Sequence, residues 1–123
     1  MLTIYHNSRC SKSREALELT QQFAAQHQLA LEIVDYQKTP LTLAQLTELQ
    51  QLLQVEKPVS VRDMVREHEA LFATLGLQQA DDDALLQALA DHPQLLQRPI
   101  VRCNDRALIA RPPESLQTFL RLP

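Results

Sequence analysis

The first 36 residues constrain this chain more than any other stretch. Leu2 to Tyr5 is a short β-type run that ends at the polar residues His6, Asn7 and Ser8. A helical pattern follows, with Ala16, Leu17, Thr20, Phe23 and Ala24 on one face and Ser11 or Ser13 available as its N-cap. Leu29 to Tyr36 (LALEIVDY) then alternates as a second strand, halted by Lys38-Thr39-Pro40. Two strands joined by a helix within so few residues pair in parallel through a right-handed crossover. The chain therefore starts as an α/β protein.

The remainder adds helices and then a hairpin. Thr42 to Gln45 has the form of a capping box, and Leu46, Leu49, Leu52 and Leu53 make the buried stripe of the helix it opens. Pro58 stops that region. Val59 to Arg66 is expected as a short helix, and Glu67 to Leu75 as another ending at Gly76, the chain's one glycine. Asp81, Asp82 and Asp83 place negative charge at the start of a helix carrying Leu85, Leu86 and Leu89, where the helix dipole favours it. This acidic triplet is read as structural, not as a metal site. Pro99 to Cys103 and Arg106 to Ala110 flank Asn104-Asp105, a two-residue hairpin link. Pro112, Pro113 and Glu114 open a last helix with Leu116, Phe119 and Leu120 on one face. The 123 residues thus read as a single domain in the order β-α-β, helices over about 41–96, then β-β-α.

Charge and composition narrow the function. The net charge is −3, yet residues 1–14 and residues 98–111 each carry +3, leaving the rest of the chain at −9. Two basic segments far apart in an acidic chain make a small anion site if folding unites them. The overall acidity and the 4% aromatic content give no base-stacking surface, so no nucleic-acid partner is expected. No apolar run approaches the length of a membrane span, and MLTIYHNSRC lacks the basic and apolar regions of a secretory signal. Two cysteines 93 positions apart do not form a secreted disulfide framework, so a reducing cytoplasm is the expected compartment.

Cys10 falls where the first strand's loop meets the first helix, with Arg9, Lys12 and Arg14 close in sequence. Unpaired backbone N–H groups and the positive end of the dipole stabilise a thiolate there, and thiolate is the nucleophilic form. His6 and the Ser13 hydroxyl are both candidates to reach the sulfur. A phosphatase-type loop needs arginine six positions after the cysteine, where Ala16 stands. A two-thiol redox motif needs cysteine at position 13, where Ser13 stands. His6 with Cys10 supplies too few ligands for zinc. The result is a Cys-x-x-Ser site that must borrow any second thiol.

The YHN…C…SR cluster, SVRDMVR at 60–66, HPQLLQRPIV at 92–101 and ARPPE at 110–114 resemble the glutaredoxin-coupled arsenate reductases of the ArsC family. The likeness runs from about residue 3 to residue 121. Ser8, and the Ser11-Lys12 pair after the cysteine, depart from the commonest family pattern (Pro, and Gly-Thr) without removing a chemical group. The resemblance implies a thioredoxin-like fold of glutaredoxin type, a mixed four-stranded sheet with a helical insertion between strands 2 and 3. Cys10 matches the family's nucleophile, His6 and Ser13 match groups beside the thiolate, and Arg66, Arg98 and Arg111 match three oxyanion-binding arginines. Guanidinium suits that role because it stays charged and presents paired planar donors. A cis Arg98-Pro99 bond beside the cysteine is also implied, His92-Pro93 being an ordinary helix terminator.

The expected function is reduction of arsenate to arsenite by a monomeric enzyme that binds no cofactor. Glutathione acts as co-substrate and glutaredoxin as recycling partner. Two rivals share the fold: a thiol reductase acting on another substrate, and an RNA-polymerase-binding regulator of the Spx type. The arginine set separates them, since a regulator has no need of three guanidinium groups around a thiolate. Cys103, on the strand that carries the apolar Ile100 and Val101, is expected to be structural and not a resolving thiol.

Overall fold

The computed structural model describes residues 1–120. Strands β1 (Leu2–His6) and β2 (Leu31–Asp35) flank helix α1 (Ser11–Gln26), and they pair in parallel with His6 opposite Asp35. The order then runs α2 (Leu43–Leu53), α3 (Ala70–Thr74), α4 (Asp82–Asp91), β3 (Ile100–Cys103), β4 (Arg106–Ile109) and α5 (Ser115–Phe119). The sheet order is β2-β1-β3-β4, with β3 antiparallel to both β1 and β4. This is the mixed four-stranded sheet of the thioredoxin-like expectation, with the helical insertion between β2 and β3.

Strand alternation divides the interior in two. Ile4, Val101 and Leu108 share a cross-strand row and pack with Leu2, Ala16, Leu116 and Phe119 on the side of α1 and α5. Tyr5, Ile100 and Ile109 form the next row and face the insertion, where Leu46, Leu49, Leu53, Leu85 and Leu89 are buried. Each such leucine contributes about 1.5–3 kcal/mol of apolar burial. The insertion is therefore a layer packed on one face of the sheet, clamped further by an Arg102–Glu48 ion pair of 3.0 Å from β3 to α2. Arg106, also in the basic segment 98–111, pairs with Glu56 at 3.0 Å and stacks over Phe119 at 4.4 Å. Two of that segment's four arginines are thus structural.

Local expectations meet mixed outcomes. The Thr42 capping box forms in full, Asp81 caps α4 through the Ala84 N–H, and Gly76 takes the left-handed φ of 67° after α3. The second strand is shorter than Leu29 to Tyr36, because only residues opposite β1 find ladder partners. Val59 to Arg66 does not become an α-helix. It holds one 3₁₀ turn at Arg62–Met64, since Val65 leaves the helical region to bridge Leu96. The α1 cap is neither Ser11 nor Ser13 but Cys10 itself, with extended φ and ψ and no side-chain cap bond.

Candidate active site

The loop between β1 and α1 is built around Asn7. Its Oδ1 accepts the Arg9 N–H at 3.0 Å, a local turn that Asn favours, and its carbonyl accepts the Cys10 N–H at 3.0 Å. Arg14 braces the outside by donating to the Ser8 carbonyl at 2.9 Å. The buried Ser13 hydroxyl completes the loop from within. It accepts the Asn7 N–H at 2.9 Å and bonds His6 Nδ1 at 2.8 Å. Ser13 is fully buried, and His6 and Asn7 are nearly so.

This places Cys10 half-buried at the N-terminus of a 16-residue helix with no acidic side chain in its first turn. Burial pushes the Cys10 thiol up, but it is outweighed by the Ser13 N–H, the Arg98 guanidinium and the Lys12 N–H, and the pKa falls below its ordinary value. The mechanism differs from the expectation in its details. The nearby cation is Arg98, far away in sequence, and not Arg9 or Lys12. The Arg9 side chain is exposed, and the Lys12 ammonium points outward, 4.0 Å from Glu15. Residues adjacent in sequence reach the sulfur through their backbone instead.

His6 and Ser13 also sit differently from the expectation that both reach the sulfur. Their side chains are bonded to each other behind the loop, and Ser13 acts on Cys10 through its amide. Burial lowers the His6 pKa, against a smaller opposing pull from Ser13 and Asp35, with Arg14 adding to the lowering. The imidazole is therefore uncharged at neutral pH and serves to hold the loop.

The arginines are delivered by two backbone pairings. The Arg66 N–H donates to the Leu95 carbonyl and the Gln97 N–H to the Met64 carbonyl, both at 2.7 Å, which lays 64–66 along 95–97. The Ala110 N–H donates to the Pro99 carbonyl at 2.9 Å, and Arg111 Nη1 donates to the Arg98 carbonyl at 3.0 Å. Arg98-Pro99 is cis, as expected; Arg111-Pro112 is cis as well, while His92-Pro93 is trans and follows the end of α4. Arg66 and Arg111 line one cavity of about 280 Å³ with Asp63, His68 and Gln97. Arg66 also forms an ion pair with Glu69. Arg98 is thus the arginine at the thiol, and Arg66 and Arg111 line the cavity next to it in the fold. Cys10 itself is not in that cavity's wall.

Two residues near the thiol escaped the sequence reading. Asn7 carries no assigned role in the sequence motif, although an Asn between strand and helix signals such a turn. Tyr36 stands in the sequence pattern only as the end of a strand. Its fully buried ring packs under the insertion, and its hydroxyl is close enough for Arg98, Arg66 and Cys10 to act on it. Among the described residues no cluster of three or more His, Cys, Asp or Glu side chains is arranged to hold a metal ion. No described helix is long and apolar enough to cross a membrane.

Known proteins resemble the chain over nearly its whole length. The model of the ArsC family matches residues 5–119. An arsenate reductase of Neisseria meningitidis is 42% identical over 121 residues, covering 97% of both chains. The Escherichia coli protein YfgD, named only as uncharacterized, is 41% identical over 115 residues, 92% of this chain and 91% of its own length. The solved arsenate reductase from Vibrio cholerae superposes with a TM-score of 0.82 at 40% identity, over 95% of both chains. With its cysteine capping the first helix and its arginines carried on the segments around Pro99, the chain belongs to the ArsC family.

Proposed function

We propose that this protein reduces arsenate to arsenite with glutathione as the electron donor and glutaredoxin as the recycling partner. The observation that carries the reading is a Cys10 thiol held below its ordinary pKa by helix amides and Arg98, with Arg66 and Arg111 lining the adjoining cavity. Arsenate reductases among its relatives support the choice of oxyanion.

In the proposed cycle the Cys10 thiolate attacks arsenic, an S–As bond forms, and an arsenate oxygen leaves as water after taking up protons. The arginines hold the remaining oxygens and stabilise the charge that builds during attack. The glutathione thiolate then attacks the Cys10 sulfur. The S–As bond breaks with its electron pair passing to arsenic, which leaves as arsenite, and a Cys10–glutathione disulfide remains. A glutaredoxin thiolate attacks the glutathione sulfur and releases Cys10 as thiolate. Each group assigned a role comes from one chain, so a monomer suffices, and the cycle suits a reducing compartment such as the cytoplasm.

The test is arsenate-dependent NADPH consumption coupled through glutathione, glutaredoxin and glutathione reductase, with Cys10→Ser as control. Turnover that needs arsenate, glutathione, glutaredoxin and Cys10 together is the expected result. Turnover unchanged in Cys10→Ser, or absent from the wild-type protein, contradicts the reading.

A further inference from the structure

The two buried polar side-chain atoms without a hydrogen-bond partner among the described residues are the Tyr36 hydroxyl and Arg98 Nε. Buried donors are nearly always paired, so two orphans need a physical reason. They are not scattered. Tyr36 directly follows β2, whose last residue Asp35 lies opposite His6, so strand pairing sets the phenol at the end of the sheet that carries the Cys10 loop. Arg98 lies against the Cys10 sulfur, and the charges of Arg98, Arg66 and Cys10 all bear on the Tyr36 hydroxyl.

The hydroxyl is also fixed in its chemical role. Burial raises the Tyr36 pKa and the Cys10 thiolate adds to the rise, while Arg98, Asn7 and Arg66 oppose it without cancelling it. The phenol keeps its proton at neutral pH. Asn7 opposes the rise as a donor does without standing at hydrogen-bonding geometry, and its Oδ1 already accepts from Arg9, so the phenol proton is free to be given elsewhere. Arg98 Nε–H is likewise a donor with no capacity to accept. Two buried donors beside a nucleophilic sulfur match a ligand that offers only acceptor oxygens, such as an ionised tetrahedral oxyanion.

We infer that Tyr36 is a further substrate-binding residue, its hydroxyl donating with Arg98 Nε to oxygens of the oxyanion held against Cys10. The inference rests on the oxyanion reading of the site proposed above, and it adds a neutral donor to the three arginines. A ring packed in the core makes that donor rigid, with no long side chain to order on binding.

The experiment compares wild-type protein with Tyr36→Phe, which removes one oxygen and leaves the ring. Cys10 is alkylated with iodoacetamide at increasing arsenate concentrations, and melting curves are recorded for both proteins. The expected result has three parts. The arsenate concentration giving half-protection rises roughly ten- to a hundredfold, the range of a hydrogen bond to a charged group. The alkylation rate without arsenate is unchanged. The melting temperature stays level or rises, because no protein hydrogen bond is lost. Equal protection in both proteins overturns the Tyr36 assignment alone. A lower melting temperature or an altered rate without arsenate overturns it in favour of a structural bond. If arsenate protects neither protein, the oxyanion reading of the site fails, and the role of Tyr36 fails with it.

Discussion

The two cysteines sit at opposite ends of the central strand and have opposite environments. Cys103 lies across from Leu2 at the start of β1, within the apolar cluster formed by Leu2, Val101 and Leu116. Cys10 lies past the far end of that strand, on helix amides and beside a guanidinium. The four steps from Leu2 to His6 separate these ends by about 13 Å, at roughly 3.3 Å per residue. A disulfide needs Cα atoms within about 7 Å. One residue type is therefore a reagent at one end and packing at the other. The difference comes from backbone donors and a charge brought in by the fold, not from the thiol itself.

The largest effect that would break this comparison is loss of the reagent. Cys10→Ser should abolish arsenate turnover in the coupled assay, and residual turnover above a few per cent would contradict it. Next come the arginines. Alanine at Arg98, Arg66 or Arg111 should each cost about 1.5–3 kcal/mol in kcat/KM, with lysine restoring only part because it lacks the planar fork. Arg98→Ala should also raise the pH midpoint of Cys10 alkylation, while Arg66→Ala and Arg111→Ala should leave it in place. An equal shift in all three would mean that the arginines act as one diffuse charge. Ser13→Ala sharpens the same contrast from below the loop. It strands the buried Asn7 N–H and should lower stability by about 1–3 kcal/mol in chemical denaturation. The smallest effect belongs to Cys103→Ser, which should leave turnover nearly intact. Loss of turnover there, with a dominant Cys10–Cys103 disulfide in the oxidised protein, would refute both the strand placement and the external thiol.

Much of this arrangement was legible in local patterns. The βαβ opening, the Thr42 capping box, Gly76 after α3 and the Asn104-Asp105 link all depend on short-range chemistry that residue order displays directly. The misses have a common origin in long-range contact. Nothing within Val59 to Arg66 reveals that Val65 will bridge Leu96, yet that bridge prevents a helix and carries Arg66 to the site. Arg9 and Lys12 look like the thiol's cations because they are its neighbours in sequence, whereas extended backbone at Cys10 and the helix start turn their side chains outward. Ser13 looked like a partner of the sulfur for the same reason, and its hydroxyl is instead spent on His6 and Asn7. Tyr36 gives no sign at all, since its place near the Cys10 loop comes from the pairing of the preceding strand β2 with β1.

The central claim is that the fold makes Cys10, and not Cys103, the reactive thiol, with the Cys10 pKa held below its ordinary value by helix amides and Arg98. The direct measurement is site-resolved alkylation of the native wild-type protein across pH, with each cysteine quantified by mass spectrometry. Because the Cys10 pKa is lowered, its reactivity should persist as pH falls below about 8.5, the free-thiol value, and decline only at more acid pH. Cys103 should stay almost unmodified until the protein unfolds. A Cys10 midpoint at or above about 8.5, or Cys103 reacting as fast as Cys10 in the folded protein, would contradict the account.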